Sequence, residues 1–197
     1  LLDQPRSEPR RLTHTTNAYA TFSPDGQWLV YQANDGGDYD LYVMRTRGQD
    51  RRRIVSSPAA DITPVYSADG HSIVFVSERD GNREVYLCDA DGQNQRNISA
   101  SPGQDIHPVF APDGSRLLFS SNRGNADPDD FDLYTMAIDG TDVQRLTEGP
   151  YVDTYASYSP DGSRIVTRRV VGGNSEVFVL NADGTDPVNL SNSPAYD

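Results

Sequence analysis

Polar residues recur in this chain at one spacing. Asn17, Asp61, Asp105 and Asp153 each stand six residues before a tight-turn tetrapeptide, and Asp197 falls in the same register. Two positions further on stand Tyr19, Thr63, His107 and Tyr155. Residues two apart on a strand present their side chains on one face. A ring of such pairs would offer a peptide, a sugar or a cation both carboxylates and mixed donor–acceptor groups. A local role is equally open, with each aspartate accepting backbone N–H groups of its own turn. The second layer differs from unit to unit, so specificity is expected there.

Asp127, Asp129, Asp130 and Asp132 form a second cluster, four carboxylates within six residues. Calcium takes oxygen ligands. The Asp-x-Asp-x-Asp-Gly spacing with a distant Glu that marks a calcium loop is missing, so a solvated acidic loop is expected, with Ca2+ as the weaker alternative. His14, His71 and His107 fall at different places in the repeat and imply no shared metal site. No Gly-x-Ser-x-Gly elbow occurs, and Asp-Gly-Ser at 113–115 and 161–163 is turn chemistry. With no complete catalytic constellation, the chain is expected not to be an enzyme.

The tetrapeptides set the frame. They are Ser23-Pro24-Asp25-Gly26, Ser67-Ala68-Asp69-Gly70, Ala111-Pro112-Asp113-Gly114 and Ser159-Pro160-Asp161-Gly162, spaced by 44, 44 and 48 residues. Each follows one short apolar run and precedes a second, such as Trp28-Leu29-Val30-Tyr31. A third run follows (Leu41-Tyr42-Val43-Met44 in the first unit), then a glycine turn, then a fourth run centred on Ile54, Ile98, Leu146 or Leu190. Short runs rich in β-branched and aromatic residues, bounded by turn residues, read as strands. Four strands, a to d, in a repeat of about 44 residues fit a blade of a β-propeller. The fold class is therefore all-β, a β-propeller of four-stranded antiparallel blades. Blades are expected at 17–60, 61–104, 105–152 and 153–196. Residues 1–16 read as the end of a partial blade, and Asp197 as the mouth of another.

The 197 residues carry 17 Lys and Arg against 29 Asp and Glu, a net charge of −12. That balance excludes the basic faces that nucleic acid and anionic membranes select. It fits cationic partners or metal ions, and fits plain solubility better. Cys88 is the single cysteine, so no intrachain disulfide forms. It aligns with Met44, Met136 and Leu180 as a core residue. No run reaches the roughly 18 apolar residues of a membrane helix.

Phe22-Ser23-Pro24-Asp25-Gly26, Asp40-Leu41-Tyr42-Val43-Met44 and Arg52-Arg53-Ile54 together resemble the TolB-type propeller repeat. Unit three, with Asn122-Arg123-Gly124, Asp132-Leu133-Tyr134-Thr135-Met136 and Arg145-Leu146-Thr147, is most similar to it. Unit four departs from it at Thr167-Arg168-Arg169, where the others keep an aromatic. The resemblance implies a non-catalytic scaffold, periplasmic or extracellular, that binds a protein or peptide. The a–b and c–d turns repeat while the b–c loops differ from unit to unit, so the b–c and d–a loop face and the channel mouth are the expected binding face. There Tyr19, Thr63, His107 and Tyr155 would make contacts, and Asp61, Asp105 and Asp153 would supply negative potential. As the alternative the resemblance admits an accessory propeller of an exported serine peptidase or carbohydrate-active enzyme whose catalytic part lies elsewhere. Blade edges left open at the ends would allow self-association.

Overall fold

The computed structural model describes residues 11–192. Residues 1–10 of the expected partial blade and the position of Asp197 lie outside the described residues. Among the described residues sixteen strands form four antiparallel sheets, each ordered as its strands follow in the chain. Blade 1 holds β1 (Thr16–Phe22), β2 (Trp28–Asn34), β3 (Asp40–Arg45) and β4 (Arg52–Val55). Blade 2 holds β5 (Asp61–Tyr66), β6 (Ser72–Ser77), β7 (Glu84–Asp89) and β8 (Arg96–Asn97). Blade 3 holds β9 (Asp105–Phe110), β10 (Arg116–Ser121), β11 (Asp132–Ala137) and β12 (Gln144–Arg145). Blade 4 holds β13 (Val152–Tyr158), β14 (Arg164–Val171), β15 (Asn174–Asn181) and β16 (Val188–Asn189).

The apolar runs are continuous because each inner sheet is covered on both faces. Val30, Leu41, Val43 and Val55 of blade 1 pack on Ile73, Phe75, Tyr86 and Cys88 of blade 2. Blade 2 meets blade 3 the same way, Val74, Val85 and Leu87 against Leu117, Phe119 and Met136. Leu118 and Leu133 then meet Ile165 and Leu180 of blade 4. Burying each such side chain stabilises by about 1.5–3 kcal/mol. Cys88 is buried in this core, and burial pushes its thiol up to about 12. The far face of blade 4 has no such cover among the described residues. Val166 is 40% exposed there, while its counterparts Val30, Val74 and Leu118 are fully buried. No helix among the described residues is long and apolar enough to cross a membrane.

The tetrapeptide closes each a–b turn. Gly26 N–H donates to the Ser23 carbonyl at 2.8 Å. Ser23 Oγ donates to Asp25 Oδ1 at 2.6 Å, and the same oxygen accepts the Gln27 N–H at 3.0 Å. Ser67–Asp69 and Ser159–Asp161 repeat the contact at 2.6 Å. These bonds hold the Asp161 carboxyl down to about 2.

A second clamp ties strand c to strand d or the residues just past it, through a carboxylate at or near the start of strand c. Glu84 accepts from Ser99 Oγ at 2.6 Å, and Glu176 from Ser191 Oγ at 2.5 Å. Asp132 pairs with Arg145 at 2.5 Å. In blade 1 Val55 stands where the others keep a hydroxyl, and Asp40 pairs with Arg53 instead, at 2.9 Å. The Asp-Leu-Tyr and Arg-Leu-Thr segments of unit three are the two halves of this clamp.

Candidate functional site

The four a strands, β1, β5, β9 and β13, pack beside one another in sequence around the axis. Each carries a bulge at the same station, where pairing with strand b slips, as between Ile62 and Val65 in blade 2. The bulged residue has left-handed backbone: φ is +49° at Tyr19, +52° at Thr63, +53° at His107 and +55° at Tyr155. Such φ is uncommon for any residue but Gly, Asn or Asp, and an outlier for β-branched Thr63. Strain of this kind costs about 1–3 kcal/mol per site and persists only where surrounding structure fixes it.

The bulge corrects one expectation. Residues two apart across it do not share a face, so the aspartates do not line the channel with their partners. Asp61 and Asp105 are fully buried and Asp153 is 1% exposed. Nor do their carboxylates cap the d–a turn. Each pairs with an arginine of its own blade: Asp61 with Arg79 at 2.9 Å, Asp105 with Arg123 at 2.6 Å, Asp153 with Arg169 at 2.7 Å. Each guanidinium also lies over two aromatic rings. Arg79 sits 4.6 Å from Tyr86 and 5.9 Å from Phe75. Arg123 lies over Phe119 and Tyr134, and Arg169 over Tyr151 and Phe178. This seat was missed in the sequence, although a spacing marks it: Arg79 and Arg123 each follow their aspartate by 18 positions.

The second layer does converge. Tyr19, Thr63, His107 and Tyr155 line both a cavity of about 430 Å³ and one of about 270 Å³. They form the waist between the two. The rings of His107 and Tyr155 stack at 3.9 Å, and the Tyr155 side chain pushes the Tyr19 phenol above its ordinary range. Thr63 N–H is held by Gln32 Oε1 of blade 1 at 2.8 Å. Thr63 Oγ1 and His107 Nδ1 are buried without a protein partner. Phe131 and Asp129 of the b–c loop of blade 3, with Arg83 and Arg168, also line the larger cavity.

The four loop aspartates do not come together as ligands. Asp132 is taken by Arg145 and Asn125. Asp127 accepts the Asp129 N–H at 3.0 Å, and Asp129 faces the axial cavity. Burial, then Asp132 and Asp127, raise the Asp130 carboxyl. Among the described residues no three His, Cys, Asp or Glu side chains are placed to hold a metal ion.

Burial, with the charges of Arg83 and Arg168, pulls the His107 pKa down to about 4 from an ordinary 6.5. The imidazole is therefore neutral at pH 7. Between those values the unfolded chain binds the extra proton. The stability that neutral His107 allows is complete above pH 6.5 and falls with pH, by about 3 kcal/mol at the low end of the window. His107→Asn, which suits left-handed backbone, is expected to flatten urea-unfolding stability between pH 6.5 and 4. A slope unchanged from wild type would refute this.

The profile of the TolB beta propeller domain matches residues 10–101 and 94–197. The Tol-Pal system protein TolB of Anaeromyxobacter dehalogenans is 34% identical over 58 residues, which is 29% of this chain and 13% of that protein. The crystal structure of TolB from Acinetobacter baumannii superposes with a TM-score of 0.80 at 23% identity, over 89% of this chain and 43% of that one. The tricorn protease superposes with a TM-score of 0.72 at 18% identity, over 95% of this chain and 20% of that one. Identities this low show the shared fold alone. The chain matches only a minor part of these proteins' own length.

Proposed function

The chain belongs to the TolB β-propeller domain family, and from that premise we propose that it is a non-catalytic scaffold that binds a protein or peptide at the axis. One observation carries the reading. Four side chains, one from each blade and each on the same strained station, converge between two cavities. The family resemblance implies a periplasmic or extracellular location. Tyr19, Thr63, His107 and Tyr155 make the contacts, while Asp61, Asp105 and Asp153 fix the strands that carry them. A second reading, the accessory propeller of a larger peptidase, fits the same fold, which the tricorn protease shares. A Gly-x-Ser-x-Gly segment in adjoining coding sequence would favour it.

The test pans a displayed peptide library on the immobilised chain and titrates the enriched peptides by calorimetry. His107→Asn and Tyr155→Ala are expected to weaken binding at least tenfold, and Arg47→Ala, on the opposite turn face, to leave it unchanged. Failure to enrich any peptide, or affinity indifferent to the axial substitutions, would overturn the proposal.

A further inference from the structure

The chain is strongly acidic, yet its axial site is not. Asp61, Asp105 and Asp153, the carboxylates nearest the waist in sequence, are withdrawn into the blades and neutralised by Arg79, Arg123 and Arg169. The charged side chains left lining the larger cavity are Arg83, Arg168 and Asp129. Arg168 donates to two neutral oxygens, Ser175 Oγ at 3.0 Å and Thr154 Oγ1 at 3.3 Å, and makes no ion pair among the described residues. Arg83 pairs with Glu78 at 2.9 Å, but the two side chains are 48% and 36% exposed. A pair so open to water is worth little and exchanges readily for a better partner. The field of both arginines reaches the waist, where it opposes protonation of His107.

We infer that the axial site selects an anionic segment, with a peptide carboxylate seated against Arg83 and Arg168. This rests on the scaffold reading above. The guanidinium fork matches a carboxylate in two parallel hydrogen bonds, an arrangement stronger than neutral pairing. Tyr155, Phe131, Ile62 and Ile106 supply apolar wall beside the two arginines, against which the rest of the segment can pack. At the waist, Thr63 Oγ1 and His107 Nδ1 are buried without a protein partner. About 430 Å³ lies within the range of sites that enclose a small ligand. The acidic exterior does not forbid this, because its repulsion is screened beyond about 8 Å at physiological ionic strength. Selection therefore acts at contact.

The carboxylate can be a chain terminus or an Asp or Glu side chain. The experiment uses hexapeptides carrying Glu or Gln at one internal position, each with a free or an amidated C-terminus. They are titrated by fluorescence anisotropy against wild type, Arg83→Gln, Arg168→Gln, Arg168→Lys and Tyr155→Ala. Carboxylate-bearing peptides are expected to bind at least tenfold more tightly than their uncharged counterparts. Either glutamine variant should erase that preference, and Arg168→Lys should keep part of it. Loss on amidation would identify the terminus, loss on Glu-to-Gln exchange the side chain, and both support the inference. Equal affinity for charged and neutral peptides, still abolished by Tyr155→Ala, would overturn the anion preference and leave the scaffold reading standing. Binding that Tyr155→Ala does not touch, or no binding by any peptide, would count against both.

Discussion

Arg123→Ala is expected to destabilise the fold by about 3–5 kcal/mol, because it leaves the Asp105 carboxylate charged, buried and unpaired. Asp105 has no exposure to water, and the Arg123 guanidinium lies 2.6 Å from it. The arginine also lies over Phe119 at 5.1 Å and Tyr134 at 5.5 Å, and alanine empties the space over those rings. For a chain of this size the loss corresponds to roughly 6–20 °C in Tm. The double variant Asp105→Asn/Arg123→Met should recover most of it. An amide is far cheaper to bury than a charge, and a thioether packs well against aromatic edges. Urea unfolding of Asp105→Asn, Arg123→Met and the double measures the coupling. A loss under about 1 kcal/mol for Arg123→Ala would mean that the pair is not the prop described here.

The four blades reach this seat by different routes, and that explains what the sequence could and could not reveal. Blades 2 and 3 use an Asp on strand a and an Arg 18 positions on. In blade 1 the same two stations are Asn17 and Asp35. There Arg51, from the c–d connection, lies over Tyr42 at 4.1 Å and pairs with Asp35 at 2.8 Å. In blade 4 the later station is Val171, and Arg169 reaches Asp153 from within β14. The departure at Thr167-Arg168-Arg169 therefore keeps the ion pair while losing the strand-b aromatic. The repeat, the strands and the turns were legible because apolar periodicity and turn chemistry are local. The fate of the aspartates was not. It depends on a bulge at Tyr19, Thr63, His107 and Tyr155, of which only His is a type enriched in left-handed backbone. Strict alternation across that station put Asp61 and Thr63 on one face, whereas the extra residue turns one into the blade and the other to the axis. The second layer still emerged as the convergent set, because its variation was read without knowing its direction.

Gly92→Ala is expected to cost more than about 4 kcal/mol, beyond the usual range of single substitutions. Asp91-Gly92 reads in the sequence as a c–d turn that needs positive φ, and φ is indeed +90°. That alone would cost alanine about 1–2 kcal/mol. The structure adds a second demand. A Cβ on Gly92 would lie 2.0 Å from the Ile54 carbonyl oxygen of the preceding blade. Gly140 meets Ile98 and Gly184 meets Leu146 in the same way, at 2.4 and 2.1 Å. The turn is thus also where one blade's strand d rests on the next blade, and backbone on both sides leaves little room to yield. Gly48 supplies the control within the same repeat. Its φ is +88°, but its nearest neighbour is Leu12 Cδ2 at 3.5 Å, ordinary contact. Gly48→Ala should therefore show the backbone strain alone, and the difference between the two variants in urea unfolding isolates the contact between blades. Equal losses would show that the close approach relaxes freely, and that the blades are joined by their apolar faces without help from the turn.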